Sequence, residues 1–290
     1  MTLSIVIPSY ARADLLQLCL QSVAQFAPYR TDILVVDDCS QDAIISRTVE
    51  RVEGVRVLRL PKRSGFCIAA NAGIAATSGE VVELLNDDTE VTAGWADAAL
   101  RWFDDPKIAA VAPLVLQNDP ARLARGLPPL IDSAGDEYDL GGFAQKRGHG
   151  DPYLDAQYEC GPVWGVSASA GFYRRSALVD AGCFPHDFGA YFEDVDLSFR
   201  LRKRGHEIWH DPASVVWHRV SASYGRKPSR QVLELQSCNE ERVFWRNVRG
   251  ADRLRNLPRH IAVLAGKAAR RITEGTFTPW FTGRLRAIVA

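Results

Sequence analysis

Runs of apolar residues alternate with segments of helical spacing through the first half of the chain. The runs predict strands over residues 4–7, 32–36, 55–60, 80–85 and 108–112. Between them, segments that are Ala-rich or have apolar residues at helical spacing predict helices over residues 12–26, 66–77 and 93–104. Strands that alternate with helices at this pace indicate βαβ units. We therefore expect an α/β fold, with a mostly parallel sheet flanked by helices.

The pattern is less regular in the second half. Frequent Pro, Gly and Asp over residues 113–165 predict a long loop region, with a small hairpin, over the ligand site. Later segments predict helices over 173–181 and 193–204, short strands over 207–210 and 214–218, and helices over 229–248 and 258–272. We expect a body over residues 1–220 and a helical extension over residues 221–290.

Charge divides the chain at the same place. The formal net charge is +0, but from residue 219 onward there are 15 Lys and Arg against 5 Asp and Glu, whereas the preceding part has 20 against 30. A basic segment after an acidic body indicates an anionic partner surface, for which nucleic acid and an anionic membrane both qualify. The alternative is that the extension folds back onto the acidic body.

The composition is that of an ordinary globular protein, with 47% hydrophobic residues. No apolar run approaches the roughly 20 residues that a membrane-spanning helix needs. The N-terminus runs directly into a strand-like segment and lacks the basic leader and cleavage site of a signal peptide. These observations favour a cytoplasmic location.

Two acidic pairs, Asp37-Asp38 and Asp87-Asp88, each follow a predicted strand directly. Because ligands bind at the carboxyl ends of strands in such sheets, both pairs fall on the ligand-binding rim. Adjacent carboxylates repel each other unless a cation neutralises them, and Mg²⁺ or Mn²⁺ would also hold a substrate diphosphate. The first pair is a candidate for ribose or base recognition. The alternative for both pairs is a solvated turn.

Candidates for acid–base chemistry follow later in the chain. Glu193, Asp194 and Asp196 lie at the start of a predicted helix, where the helix dipole favours carboxylates. The functional alternative is a general base that takes a proton from an acceptor hydroxyl. His218 ends a predicted strand, and it is either a structural residue or, as a neutral imidazole, a metal ligand.

Taken in chain order, five segments resemble the inverting family 2 glycosyltransferases of the GT-A fold, over about residues 3 to 220. Residues 4–10 are similar to that family's first strand and nucleotide loop. Residues 35–42 are similar to its V-V-D-D-x-S-x-D segment, and residues 65–74 to its donor-binding G-F-x-x-x-N-x-G-I stretch. Residues 84–89 are similar to its metal-binding D-x-D-type motif, and residues 192–200 to the E-D-x-D-x-x-x-R helix that carries the catalytic base.

The resemblance implies a role for each matching residue. Asp194 would act as the general base, with Glu193 beside it. Asp88 would be the principal ligand of Mg²⁺ or Mn²⁺, and His218 would complete the metal site. The donor-binding residues would be Pro8, Tyr10, Arg12, Asp37, Asp38, Asn71 and Asp87. Among these, the nucleotide pocket would be lined by Pro8, Tyr10 and Asp38.

Two positions depart from the family pattern. The metal motif reads Asn86-Asp87-Asp88, so an amide replaces the first carboxylate of a strict D-x-D. How Asp87 and Asp88 divide their roles is therefore open. The family's usual Asn-Asn before Ala-Gly is Ala70-Asn71 here.

The most similar members of the family transfer rhamnose or related sugars to lipid-linked or cell-surface polysaccharide acceptors. The resemblance thus implies an inverting, metal-dependent transfer from dTDP-rhamnose or a UDP-sugar to a glycan or lipid-linked glycan. It also implies a peripheral position at the inner face of the cell membrane, where the basic extension would meet an anionic surface rather than nucleic acid. The oligomeric state is open.

Two other classes remain as alternatives. A nucleotidyltransferase also uses acidic metal ligands on a Rossmann-like sheet, but it usually has a Gly- and Lys-rich phosphate loop where this chain has P-S-Y-A-R over residues 8–12. A non-catalytic sugar- or lipid-binding module of the same fold could lose Asp88, Asp194 and His218 freely, and all three are present. A Rossmann dehydrogenase is excluded because no G-x-G-x-x-G follows the first strand.

Overall fold

The computed structural model describes residues 1–154, 158–219 and 228–289. The first strands are β1 (Leu3–Ser9), β2 (Asp32–Asp37), β3 (Val55–Arg59) and β4 (Val81–Leu84). They pair in parallel in the order β3-β2-β1-β4. The helices that connect them are α1 (Ala13–Phe26), α2 (Ile44–Val49) and α3 (Phe66–Ala75). This half of the sheet has the parallel βαβ organisation that the sequence predicts.

The other half of the sheet is mixed. Its strands are β5 (Thr89–Val91), β6 (Ile108–Gln117), β7 (Ile131–Ser133), β10 (Gly161–Pro162), β11 (Phe172–Arg174) and β12 (Glu207–His218), and a separate hairpin consists of β8 (Asp136–Asp139) and β9 (Phe143–Lys146). β11 lies antiparallel between β4 and β6, and β6 pairs in parallel with β12. The α/β class is confirmed, and so is the hairpin within the predicted loop region.

Two predictions of secondary structure were wrong where a segment pairs with the sheet. The helix predicted to begin at residue 173 begins at Arg175, because the preceding residues form β11 and gain ladder partners on both sides. The two strands predicted over 207–210 and 214–218 are the single strand β12, with an irregularity between Asp211 and Val215. The remaining helices of the body are α4 (Trp95–Leu100), α5 (Pro120–Leu123), α6 (Arg175–Asp180) and α7 (Glu193–Lys203).

Alternating side chains of β1 pack on opposite faces of the sheet. Ile5 and Ile7 belong to the same buried cluster as Leu16 of α1, whereas Val6 belongs to a second cluster that includes α3 and α7. A Cβ at Gly73 of α3 would collide with the Val6 side chain, so glycine lets this helix pack close to the sheet. The central strands are covered on both faces, which fixes the position of their carboxyl ends.

The C-terminal extension is helical, as predicted, and its described helices are α8 (Arg230–Asn247), α9 (Gly250–Thr273) and α10 (Phe277–Val289). The helix predicted over residues 258–272 begins earlier, at Gly250, and α10 was not predicted. The predicted boundary between body and extension, at residues 220–221, lies outside the described residues. Among the described helices, none combines the length and the apolar character that crossing a membrane requires.

The helix α8 joins the extension to the body. Phe244 is fully buried in the body's core, and Asn247 Nδ2 donates to Asp196 Oδ1 of α7 at 2.7 Å. Arg246 forms an ion pair with Asp187 of the body. Part of the basic extension therefore folds back onto the acidic body.

Candidate active site

A cavity of about 450 Å³ opens at the carboxyl ends of β1 and β4. Segments from both ends of the body line it, including Pro8, Arg12, Asn86, Glu193, Asp194 and His218. The β8–β9 hairpin supplies a further wall through residues 144–146. The fold thus brings most of the distant sequence motifs around one space.

Asp87 and Asp88 are both buried at this edge, directly after β4. Arg12, from the loop after β1, pairs with both carboxylates, and its Nη1 donates to Asp88 Oδ2 at 2.6 Å. Ser9 Oγ donates to Asp87 Oδ2 at 2.6 Å. Burial raises the pKa of Asp87 to about 6, and the charge of Arg12 opposes this shift. In this structure Arg12 is a cationic partner of the acidic pair, and the divalent ion predicted there stays a prediction.

His218 reaches the acidic pair through strand register. β12 pairs antiparallel with β5, so that His218 lies opposite Thr89, the residue after Asp88. Its Nε2 lies 3.1 Å from Asp88 Oδ1, and its Nδ1 lies 3.0 Å from Asp132 Oδ2. Burial lowers the pKa of His218, but the hydrogen bonds to Asp132 and Asp88 outweigh burial, and the pKa is raised. The two residues predicted as metal ligands are therefore adjacent in space.

Asp132 is a site residue that the sequence analysis missed. It lies in β7, which pairs with β6, and β6 pairs with β12, so the sheet brings Asp132 beside His218. Lys146 Nζ donates to its Oδ2 at 2.8 Å, and His149 Nδ1 lies 2.9 Å from its backbone oxygen. Burial acts to raise the pKa of Asp132, yet the charge of Lys146 and the hydrogen bonds from both histidines hold it well below the usual range. A single Asp in a Gly- and Pro-rich segment gave no signal in the sequence.

The geometry around His218 fits a divalent cation. With its Nδ1 proton donated to Asp132, the ring presents the Nε2 lone pair to Asp88 Oδ1, and either a proton or a metal ion must lie between two such acceptors. A carboxylate behind the imidazole is the usual support of a metal-ligating histidine. Within the three described stretches of chain, no group of three or more His, Cys, Asp or Glu side chains is placed to hold a metal. Asp88 and His218 would thus form a partial set, completed by substrate oxygens and water.

Asp194 lies in the first turn of α7 and lines the cavity. Its Oδ2 accepts a hydrogen bond from the Ala168 N–H at 3.0 Å, which fixes the carboxylate. Asn239 of α8 donates to the carbonyls of Ala190 and Tyr191, and so holds the turn that leads into α7. Burial raises the pKa of Asp194, while the backbone hydrogen bonds oppose the shift. A carboxyl group with a raised pKa in a cavity wall has the properties of a general base.

Two further carboxyl groups lie near Asp194. Glu193, predicted as its neighbour, is buried, and in the described residues its Oε2 has no hydrogen-bond partner. Asp136 of β8, which the sequence analysis missed, is also buried and lines the cavity. Burial and then the charge of Asp194 raise the pKa of both groups well above the ordinary range. Because backbone N–H groups stabilise the charged form of Asp194, it is the carboxyl group of the three best suited to ionise.

The first acidic pair is bound differently, beginning with Asp37. This buried carboxylate accepts hydrogen bonds from Ser40 N at 2.7 Å, Ser46 Oγ at 2.6 Å and Arg59 Nη1 at 2.5 Å. Burial acts to raise the pKa of Asp37, but these hydrogen bonds outweigh it and lower the pKa. Asp37 thus organises the loop after β2, and its predicted place near the nucleotide stays a prediction.

Asp38 and Tyr10 lie at neighbouring strand ends. Asp38 accepts hydrogen bonds from the backbone N–H groups of Ser64 at 2.7 Å and Gly65 at 2.9 Å. The guanidinium of Arg63 lies over the Tyr10 ring, 4.0 Å from its centroid. The loop before α3 is therefore held against the ends of β1 and β2, where the nucleotide pocket was predicted.

Like four other predicted donor-binding residues (Tyr10, Asp37, Asp38 and Asp87), Asn71 lies outside the described lining of the cavity. Its Nδ2 donates to the Phe184 carbonyl at 2.8 Å, and its Oδ1 accepts from the Phe184 N–H at 3.0 Å. The Asn71 side chain joins α3 to the loop after α6, and its role in donor binding stays a prediction.

The sequence matches known proteins over most of its length. The model of Glycosyl transferase family 2 matches residues 4–181. An N-acetylglucosaminyl-diphospho-decaprenol L-rhamnosyltransferase of Mycobacterium tuberculosis is 30% identical over 246 residues, which cover 78% of this chain and 79% of that protein. A pre-mycofactocin glycosyltransferase of the same species is 30% identical over 189 residues, which cover 64% of this chain and 37% of that protein.

Solved structures share the fold. GalNAc-T7 with UDP, GalNAc and Mn²⁺ aligns with a TM-score of 0.64 at 19% identity, over 84% of this chain and 47% of its own. A mannosyltransferase of Pyrobaculum calidifontis in complex with GDP-Man and Mn²⁺ aligns with a TM-score of 0.63 at 16% identity, over 99% of this chain and 86% of its own. Sequence and fold agree, and the chain belongs to glycosyl transferase family 2, as a glycosyltransferase of the GT-A fold.

Proposed function

We propose that this glycosyltransferase is inverting and metal-dependent, and that it transfers a sugar from dTDP-rhamnose or a UDP-sugar to a lipid-linked glycan acceptor in cell-surface polysaccharide synthesis. The observation that carries the proposal is the single cavity lined by both Asp194 and His218. A candidate base and a candidate metal ligand that share one cavity can act on the same pair of substrates. The name of the rhamnosyltransferase relative, with its diphospholipid-linked sugar, supports the choice of donor and acceptor.

The nucleoside diphosphate of the donor is proposed to bind where β1, β2 and β4 end. Pro8, Tyr10 and Asp38 would form the nucleotide pocket, and Asp87 would contact the ribose or the donor sugar. Arg12 would bind the diphosphate, because a guanidinium donates paired hydrogen bonds to phosphate oxygens. Its present ion pairs with the acidic pair hold it at this edge of the sheet.

Asp88 and His218 are the proposed ligands of the metal ion. A carboxylate and an imidazole together suit Mn²⁺ better than Mg²⁺, which prefers oxygen ligands, so we expect higher activity with Mn²⁺. A bound ion would supply Lewis-acid stabilisation of the charge that develops on the leaving diphosphate. Two structures of the same fold contain Mn²⁺ together with a nucleotide or a nucleotide sugar, which supports this proposal.

Asp194 is the proposed base. Its carboxylate, held by the Ala168 N–H, would accept the proton of the acceptor hydroxyl. The hydroxyl oxygen then attacks the anomeric carbon from the face opposite the leaving diphosphate, and one such displacement inverts the anomeric configuration. Because burial raises the pKa of Asp194, the carboxylate is a stronger base than an exposed aspartate.

The Asp194→Asn variant tests this proposal. Transfer would be measured from dTDP-rhamnose and from UDP-sugars to farnesyl-diphospho-GlcNAc, with Mn²⁺ present. We expect kcat to fall by about 10²–10⁴-fold, as for the loss of a general base, with unchanged affinity for the nucleoside diphosphate. Asp180→Asn is the matched control, since Asp180 is exposed and pairs with Arg204. Near wild-type turnover in Asp194→Asn would reject the base, and no transfer by the wild type from any of these donors would reject the function.

The extension is proposed to hold the enzyme at the anionic cytoplasmic face of a membrane. Apolar side chains are exposed on α9 and α10, at Leu254, Ile261, Ile272, Phe281 and Ile288. They lie among arginines, a mixture that is typical of helices lying on anionic lipid surfaces. Co-sedimentation with phosphatidylglycerol vesicles at low salt tests this, with phosphatidylcholine vesicles as the control. Absence of binding to the anionic vesicles would reject a membrane role for the extension.

A further inference from the structure

A second cavity, of about 270 Å³, adjoins the active-site cavity. Phe192 and Gln236 line both cavities, so the two spaces share a wall. The second cavity is otherwise bounded by the β8–β9 hairpin and the extension, through Phe143, Leu233, Ser237, Glu240, Lys267, Arg270, Arg271 and Trp280. None of the site residues predicted from the sequence belongs to it, and the proposed chemistry does not use it.

The charged lining of this cavity is mainly cationic. Arg270 Nε donates to Glu274 at 2.6 Å, and Arg271 Nη1 donates to the same carboxylate at 3.0 Å. A guanidinium has five N–H donors, so two arginines that share one carboxylate retain donors for a further anion. The Arg270 side chain is 76% exposed, and it is accessible to a ligand.

The single acid of the lining is neutralised from within the extension. Glu240 pairs with Lys267 on one side and with Arg284 on the other. Lys267 Nζ also lies 4.7 Å from the centroid of the Phe143 ring, which is part of the hairpin. The described lining thus carries a net positive charge. Its cationic side chains lie between Phe143 of the hairpin and Trp280 of α10.

We propose that this second cavity binds the diphosphate of the acceptor, while the acceptor's sugar occupies the active-site cavity. The inference rests on the proposed function, because it needs an acceptor whose sugar is linked to a lipid through a diphosphate. In such a molecule the diphosphate is bonded directly to the anomeric carbon of the sugar. An anion site must therefore adjoin the sugar site, and the shared wall at Phe192 and Gln236 provides that adjacency. Arg270 and Arg271 are the proposed diphosphate ligands.

The test compares two acceptors with the double variant Arg270→Gln/Arg271→Gln. The acceptors are farnesyl-diphospho-GlcNAc and octyl β-GlcNAc, which has no diphosphate. For the diphosphate acceptor we expect KM to rise about 10- to 100-fold, as for the loss of hydrogen bonds to a charged group. The KM for the donor, and the KM for the octyl glycoside, should be unchanged.

The Arg255→Gln variant is the matched control. Arg255 is exposed on the same helix and lies outside the lining of the cavity, about 20 Å from Arg270 along the helix axis. It should leave both KM values at the wild-type level. Thermal unfolding of all variants checks that they are folded, and Lys267 is left intact because it neutralises Glu240.

A binding measurement separates this inference from the proposed function. Isothermal titration of farnesyl diphosphate needs no turnover, and we expect binding by the wild type that the double variant loses. Inorganic pyrophosphate and phosphatidylglycerol vesicles, as separate titrants, distinguish a lipid diphosphate from a free anion and from a membrane surface. The inference is overturned if the double variant changes the KM of both acceptors equally. It is also overturned if the double variant changes neither KM nor the binding of farnesyl diphosphate. If the wild type binds farnesyl diphosphate through these arginines but transfers no sugar, the anion site stands and the proposed function fails.

Discussion

The two acidic pairs both lie at the carboxyl ends of parallel strands and look alike in the sequence, yet their surroundings differ. The partners of Asp37 come from residues 40–59, the loop, helix α2 and strand β3 that follow it. The partners of Asp87 and Asp88 come from residues 9, 12 and 218, on other strands and loops.

This comparison shows how one motif serves two purposes. The hydrogen-bond partners of Asp37 all belong to the segment that follows it, from the loop after β2 to β3, so its carboxylate stabilises local structure. The environment of Asp87 and Asp88 exists only when distant segments meet, and it includes a cavity wall in which a ligand can replace a protein partner. The distance along the chain to the hydrogen-bonding partners thus distinguishes Asp37, which stabilises its own segment, from Asp87 and Asp88, whose surroundings form a candidate site.

The largest expected effect comes from Asp88→Asn. We expect kcat to fall by at least about 100-fold with Mn²⁺, because Lewis-acid stabilisation is worth several kcal/mol of transition-state energy. Steady-state kinetics at saturating donor measures the loss, and Glu90→Gln, two residues further along, is the control. Full activity of Asp88→Asn at every Mn²⁺ concentration would remove Asp88 from the metal site.

Glu83, on the strand that precedes Asp87 and Asp88, is a buried acid without a cation beside it among the described residues. In the described residues, Glu83 of β4 is fully buried and accepts a hydrogen bond from Trp95 Nε1 at 2.9 Å. Burial raises its pKa from an ordinary 4.5 to about 8. Since the folded state holds the proton more tightly, the stability that this group contributes is present below pH 4.5 and is lost as the pH rises through about 8.

Glu83→Gln should remove this loss. We expect the variant to be more stable than the wild type at pH 7 by about 3 kcal/mol, and nearly equal to it near pH 4. Denaturant unfolding between pH 4 and pH 8 measures the difference. Parallel stability curves for the two proteins would show that Glu83 is ionised in the folded state.

The Asp132→Asn variant tests whether Asp132 supports metal binding through His218. The variant keeps an amide oxygen that can accept a hydrogen bond from His218. It loses the negative charge of the carboxylate that holds the His218 ring and Lys146. We expect Mn²⁺ affinity to fall by about 10- to 100-fold, as for other carboxylates behind ligating histidines. Titration calorimetry with Mn²⁺ measures it, and Asp151→Asn, an exposed acid nearby in sequence, is the control. Unchanged affinity would mean that His218 binds no metal.

The smallest effect on catalysis is expected for Asp37→Asn. An amide in place of the carboxylate disrupts the hydrogen bonds from Ser46 and Arg59, so the free energy of unfolding should fall by about 1–2 kcal/mol with little change in kcat. Denaturant unfolding and kinetics are measured together, with Asp42→Asn in the same loop as the control. Loss of activity without loss of stability would give Asp37 a direct role at the donor and would end the contrast between the two pairs.

The parallel half of the fold could be predicted from the sequence because each of its elements is encoded locally. The buried strands β1, β2 and β4 are mainly apolar runs, and each ends at a polar turn. The mixed half could not be predicted in the same way. The strand β11 has three residues and is defined by its two neighbours in the sheet, and no periodicity in so short a segment identifies it.

The residues of the candidate site also differ in whether the sequence alone could predict them. Asp87, Asp88 and Asp194 could be predicted as candidates because each lies in a motif that is contiguous in the sequence, and His218 because it ends a predicted strand. Asp132, Asp136 and Lys146 were missed because they come from a segment without a pattern. The hairpin brings Asp136 and Lys146 to the cavity, and the sheet brings Asp132 beside His218.

By itself, the sequence determined the α/β class, the family and the residue types at the carboxyl edge, because short-range patterns of apolar and acidic residues encode them. The tertiary structure alone decided which acids face the cavity, that Arg12 pairs with both carboxylates, that Asp132 supports His218, and that a cationic cavity adjoins the active site. The physical reason is that charge, burial and hydrogen bonding depend on distances between side chains. Those distances are set by strand register and helix docking between segments far apart in the chain.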